Sequence, residues 1–367
     1  MPRIVLAVLV LLLVSTGCQR PAPPEPTSGR TDTLRYATTF RLNEAEGYQI
    51  LDINRLRFAL VDSGATARSG DAVVVRVPVR RIVTLSTTHL GFLARLGAAD
   101  RVVGVVGAPW VYAPSVRERI ASGQIVDVGV TGTPSAEAIA ALRPDVVFAS
   151  AGDGDPAVEA LRRLDIPVVP MAEHQEAHPL GRAEWIKAFG AFVGAADTAR
   201  AVFDTVAARY ERLAQTAQTA SQKPTVLLGS PYRGTWFMPG GRTFAARQLA
   251  DAGTAYLWAA DTSRANLPLS LETVLARAQH ADLWLAPGAW GSLADGTAQE
   301  PRLALFDALG RGAVYNYDAR MSPGGGFDVF ETGVVQPDAV LADLIAVAHP
   351  ALLPNHRLVY FRRLPAR

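Results

Sequence analysis

Hydrophobic and polar positions along this chain change their period several times. Residues 35–54, YATTFRLNEAEGYQILDINR, alternate apolar and polar about a turn at Asn43–Gly47, the pattern of a hairpin. A β-rich run, AVVVRVPV (72–79), follows and leads into RIVTLS (81–86). From there strand-like and helix-like segments take turns. THLGFLARLG (88–97) has helical spacing and ends on a glycine, and RVVGVVG (101–107) returns to strand character. A helix is predicted over Pro114–Ser122, then a short strand QIVDVG, a helix from Ser135, and a buried strand from Asp145. The helix PAVEALRRL and the strand IPVVPM close this half near Met171. Short strands alternating with helices predict parallel α/β construction.

From Leu180 to about Thr219 the strand signal disappears. Trp185, Phe189, Phe192, Val193, Val202, Phe203, Val206 and Tyr210 recur at helical spacing, with a break at Gly194–Asp197. The alternation then resumes at PTVLLGS (224–230) and ends in the helix PDAVLADLIAVAHP. SAEAIAALRPDVVFA (135–149) and SLETVLARAQHADLWLA (270–286) share one plan: Ser, one residue, Glu, an apolar helix, then Asp leading an apolar strand. The expected fold is two α/β lobes with central, mainly parallel sheets joined by a long helix, a ligand cleft lying between them. The expected boundaries are 33–179 for the first lobe, 180–222 for the link and 223–367 for the second.

The N-terminus changes the picture. MPRIVLAVLVLLLVSTGC carries one arginine, an apolar run from Ile4 to Val14 and then small residues, the order of an export signal too short to span a bilayer. The segment VSTGC resembles a bacterial lipoprotein signal, which implies removal of residues 1–17 and lipidation of Cys18, although Ser15 stands where leucine is commonest. Residues 18–32, rich in proline and small polar residues, read as a flexible tether. Cys18 is the single cysteine, so no internal disulfide and no cysteine-rich metal site can form. With 36 basic and 34 acidic residues among 367, the chain lacks the basic excess of a nucleic-acid binder.

Several blocks together resemble the substrate-binding lipoproteins of ABC importers that serve iron-siderophores, haem and cobalamin. They are RIVTLSTTHLGFLARLGAADRVVGVVG (81–107), PSAEAIAALRPDVVFA (134–149), PLGRAEWIKAFGAFVG (179–194), WFMPGGRTFAARQLADAGTAYLW (236–258), LPLSLETVLARAQHADLWLAPG (267–288) and ETGVVQPDAVLADLIAVAHP (331–350). The resemblance implies a monomeric, exported protein, lipid-anchored at the periplasmic face of the membrane, that binds a metal chelate and docks on a permease with its ATPase. A ferric siderophore is the first expectation, cobalamin and haem the alternatives; no cofactor is implied. Glu137 and Glu272 match the surface glutamates that in this family pair with permease arginines. Ser135 and Ser270 also read as helix N-caps with a favourable first-turn glutamate, a role compatible with docking.

Ligand contacts in a two-lobed α/β protein come from loops after strands that face the crevice. These are Ser86–His89, Ala108–Tyr112 and Ala151–Asp155 in the first lobe, Ser230–Arg242 and Pro287–Trp290 in the second. They offer Thr87, Thr88, His89, Trp110 and Tyr112, then Tyr232, Arg233, Trp236, Phe237, Arg242 and Trp290. Aromatics beside arginines suit a large, flat or anionic chelate. A protein-held metal is not expected: His174 and His178 form HQEAH, where Gln175 replaces the glutamate of a zinc-hydrolase helix and Pro170 and Pro179 bracket the pair. No nucleophile elbow, P-loop or dinucleotide fingerprint is present. A metal-dependent hydrolase using His89, Asp153 and Asp155 is the rival class.

Overall fold

The computed structural model describes residues 33–45, 47–65, 70–130, 132–150 and 155–367. The export segment, the tether and Cys18 lie outside them. Two five-stranded sheets form the lobes. In the first, the strands run in the order 168–170, 146–149, 82–84, 102–105 and 126–127, all parallel. In the second, the order is 255–256, 225–228, 283–285, 314–316 and 362–363, parallel except for the last pair. Val146–Ala149 and Leu283–Leu285 are buried along their whole length, as strands covered on both faces by helices must be.

The shared plan of the two halves has a common physical basis. Ser135 and Ser270 each accept a bond from the backbone three residues on, capping the helices Ala136–Ala141 and Leu271–Ala278. The aspartate leading each following strand ties down the start of its neighbour: Asp145 accepts from the Arg80 and Arg81 amides, Asp282 from that of Thr225.

Between the lobes the predicted helical stretch divides into Pro179–Glu184, Ile186–Val193 and Ala196–Ala217. Gly194 ends the second at φ 68°, a left-handed cap that glycine adopts without penalty. The third helix has 22 residues and is about 33 Å long. Its buried stripe of Ala199, Phe203, Val206, Ala207 and Tyr210 follows the 3–4 spacing read in the sequence.

The N-terminal hairpin is more than an appendage. Phe40–Ala45, Tyr48–Ile53, Leu56–Asp62 and Val73–Val77 form a separate four-stranded sheet, its first three strands antiparallel. Its inner face, with Phe40, Leu51, Phe58 and Val75, joins the same core as Trp185 and Phe189. Two fully engaged carboxylates hold the preceding chain. Buried Glu184 accepts from the amides of Arg35, Tyr36 and Ala37 and from Lys187, and Glu176 takes the amides of Thr38 and Thr39. A three-stranded antiparallel sheet (231–232, 235–239, 266–269), not expected from the sequence, projects from the second lobe.

Candidate ligand cleft

In the second lobe, Thr225–Leu228 pairs with Leu283–Leu285 although another strand of the same sheet, 255–256, lies between them in sequence. Connections leave this pair toward opposite sides, and a crevice opens outside their carboxyl ends. Leu228, Gly229, Leu285 and Ala286 floor a cavity of about 590 Å³, within the range of small-molecule sites. Ala286 holds φ 56°, a left-handed conformation that costs a non-glycine residue about 1 kcal/mol or more. One wall carries Phe237 and the start of the helix Phe244–Asp251; another carries Tyr317 and Phe330. The first lobe contributes His174–Ala177, just after its strand Val168–Pro170.

The cleft is aromatic and cationic. Phe237 is 50% exposed and Phe330 44%, large apolar surfaces turned to solvent inside a concavity. Tyr317 meets Phe327 and Phe330 edge-on, with centroids 4.9 and 5.2 Å apart. Arg242 and Arg264 line the walls, and neither meets a carboxylate among the described residues. Glu176, the one acid among the described residues of the walls, is spent on the 38–39 amides and on Trp185. Burial and the charge of Arg182 hold the His174 imidazole below its usual value, so its neutral form prevails at neutral pH. Such a site favours a ligand with flat apolar surface and negative charge.

A second set of contacts joins the lobes beside the cavity. The segment after Asn316 crosses to the first lobe, where buried Glu331 accepts from the amides of Tyr112 (2.8 Å) and Ala113 (3.0 Å). Arg320 donates to the Tyr112 hydroxyl at 3.1 Å and pairs with buried Asp328 at 2.9 Å. Ser322 donates to the Pro109 carbonyl, and Thr88 to that of Phe330. The approach is too close for side chains: a Cβ at Gly326 would lie 1.9 Å from the Trp110 carbonyl oxygen, and one at Gly91 2.0 Å from that of Glu331. Burial pushes the Glu331 carboxyl up to about 7 against the pull of its two amide bonds.

This clasp redistributes the residues expected at the ligand. Of them, Phe237 and Arg242 line the cavity. Thr88 and Tyr112 bind the other lobe instead, with Thr87 at the start of the same helix as Thr88. Trp110, 45% exposed, sits on the clasp loop outside the cavity walls. His89 is fully buried against Phe148 and Phe189, because it falls on the inward stripe of the helix Thr88–Arg95. Trp236 and Trp290 belong to the core of the second lobe, packed on Trp284 and bonded through their indole nitrogens to the Leu228 carbonyl and Gln299. Their places follow from strand alternation, which turns Trp236 inward and its neighbour Phe237 outward. Tyr232 and Arg233 stack on each other at the exposed tip of that hairpin. The hydrolase constellation is dispersed as well: Asp155 caps the helix Pro156–Arg163, His89 is in the core, and Asp153 lies outside the described residues.

Sequence reasoning missed Tyr317, Phe330, Phe244, His174 and Arg264. Tyr317 had a findable signal, since it directly follows the strand 314–316 of the same sheet, a position equivalent to the loops after 225–228 and 283–285. His178 of the HQEAH pair caps Pro179–Glu184, its Nδ1 accepting from Leu180. Glu137 and Glu272 stand exposed in the first turns of their capped helices. Glu272 also pairs with Arg302 at 2.7 Å.

Residues 82–321 match the family described as periplasmic binding protein. The chain belongs to that family. Two lipoproteins of Methanocaldococcus jannaschii are relatives. One is 30% identical over 80% of this chain and 78% of its own length, the other 26% over 82% and 73%. A periplasmic haem-binding protein of Pseudomonas aeruginosa superposes with a TM-score of 0.60 at 23% identity, covering 79% of this chain and 99% of that one. A possible iron-binding protein of Staphylococcus epidermidis gives 0.57 at 17% identity (74% and 99%), and the haem-binding RhuT of Roseiflexus sp. RS-1 0.56 at 20% (74% and 99%). At these identities the structures establish a shared two-lobed fold. This periplasmic binding protein is accordingly a solute-binding component of the ABC-importer type. The four-stranded N-terminal sheet precedes the matched region. No helix among the described residues is long and apolar enough to cross a membrane.

Proposed function

We propose that this periplasmic binding protein captures an anionic iron chelate in its inter-lobe cavity and delivers it to an ABC permease. The observation that carries the reading is the cavity itself: half-exposed Phe237 and Phe330 beside Arg242 and Arg264, with no free carboxylate among the described residues of its walls. A ferric siderophore with carboxylate or catecholate groups satisfies that chemistry, while cobalamin, with neutral amides around its ring and a single phosphodiester, offers the arginines fewer anionic partners. Haem is the second reading, favoured by the neutral His174 imidazole on the wall, which has a lone pair to offer iron. Docking is assigned to exposed Glu137 and Glu272, one per lobe, steering association with basic groups of the permease. Anchoring is assigned to Cys18, in keeping with the lipoprotein relatives.

The test is titration of the purified soluble body with a ferric siderophore panel, haemin and cyanocobalamin, followed by calorimetry and quenching of tryptophan fluorescence. Micromolar or tighter binding of an anionic iron chelate, with cyanocobalamin weaker, is the expected result. Absence of binding by every compound would overturn the reading.

A further inference from the structure

We propose that Arg182 forms a carboxylate-binding subsite at the inner end of the cleft, receiving an acidic arm of the chelate. The inference rests on the cavity being the ligand site. A chamber of about 50 Å³ adjoins the main cavity and shares Phe244, Gln248 and Phe330 with it, and Arg182 of the linking helices forms its opposite side. Its volume suits a carboxylate group, about the space of one or two waters.

Arg182, partly buried with its Nε fully enclosed, is unlike the buried charges of this protein. Lys187 lies 2.9 Å from Glu184, Asp328 is paired with Arg320, and Asp343 accepts three backbone amides and His356. The Arg182 guanidinium instead lies over the Phe244 ring, its Cζ 4.1 Å from the centroid, and no described residue accepts a hydrogen bond from it. Glu173, whose charge acts on it, forms no ion pair with it and is pushed up to about 7 by burial. The Arg182 Nε is enclosed without an acceptor, and a buried donor left unpaired is costly. Stacking leaves its N–H edge free, the edge that grips a carboxylate in bidentate fashion.

The subsite also joins the link to the second lobe. Arg182 belongs to the helix that follows the first lobe's last strand, while Phe244 and Gln248 belong to the second. A carboxylate held there touches both the linking helices and the second lobe. The shared chemistry is a carboxylate, supplied either by a carboxylate siderophore or by a haem propionate.

Two arms test this. In the first, melting of the wild-type protein, Arg182→Lys and Arg182→Gln is followed with added propionate or its neutral isostere propionamide. Propionate should raise the midpoint of the wild type and Arg182→Lys only, propionamide none, and unliganded Arg182→Gln should melt no lower than the wild type. An equal propionate response in Arg182→Gln, no response in any protein, or a marked loss of unliganded stability in Arg182→Gln would overturn the subsite. In the second arm, Arg182→Gln should bind haemin and ferric citrate about tenfold or more weakly, and haemin dimethyl ester less than about twofold so. Equal weakening of acid and ester would also overturn it. If propionate acts through Arg182 while no chelate binds the wild type, the subsite stands and the iron-chelate reading falls.

Discussion

Phe237 offers the most direct measurement of the cleft. It projects from the strand Thr235–Pro239 into the cavity, 50% exposed. A phenylalanine side chain presents roughly 200 Å², so about 100 Å² remains for a ligand to cover. At about 25 cal/mol per Å² that surface is worth up to about 2.5 kcal/mol, and half as much if the ligand covers half. Phe237→Ala should therefore weaken binding by roughly tenfold to seventyfold. Its effect on folding should stay below about 1 kcal/mol, because a half-exposed ring leaves no closed cavity behind. Phe330 is the less clean choice, since its ring also packs on Tyr317 and Phe327. Calorimetric titration with whichever chelate binds the wild type, alongside urea unfolding, gives both numbers. The reasoning fails if Phe237→Ala binds within twofold of the wild type while Trp110→Ala loses tenfold. That outcome would place the ligand on the clasp loop rather than in the cavity.

Charge reversal at Glu137 and Glu272 together should abolish stimulation of the permease's ATPase and leave ligand affinity intact; unchanged stimulation in reconstituted vesicles would remove their docking role. Glu184→Gln should destabilise the protein by about 2–4 kcal/mol, because a buried acceptor of three amides and a lysine gives up its charge, and should speed proteolysis near Arg35. A loss under about 1 kcal/mol in urea unfolding would contradict that. Glu173 and Glu331 are both pushed up by burial from 4.5 to about 7, so the native state holds their protons more tightly than the unfolded chain does. Their contribution to stability is therefore full below about pH 4.5, falls as pH rises toward 7, and is gone above that, a span on the order of 3 kcal/mol for each. Glu331→Gln should flatten about half of this slope; an unaltered slope in unfolding midpoints between pH 5 and 8 would refute the assignment.

Local patterning determined most of the architecture. Period-two and 3.6-residue alternation are properties of neighbouring residues, so the strands, the capped helices after Ser135 and Ser270, and the apolar stripe from Phe203 to Tyr210 were legible without coordinates. The duplicated Ser-x-Glu plan likewise marked two related lobes. What the sequence could not determine was which loop residues face the ligand, because that depends on pairings between segments far apart in the chain. Trp236 and Phe237 are adjacent, and only the seating of their strand on the second lobe decides that the tryptophan is core and the phenylalanine is wall. Thr88 and Tyr112 were chosen for their loops, but partners more than 200 residues away, Phe330, Arg320 and Glu331, claim them for the clasp. Arg182 was hidden among helical residues for the same reason: only folding encloses its Nε without an acceptor and brings Phe244 against the guanidinium.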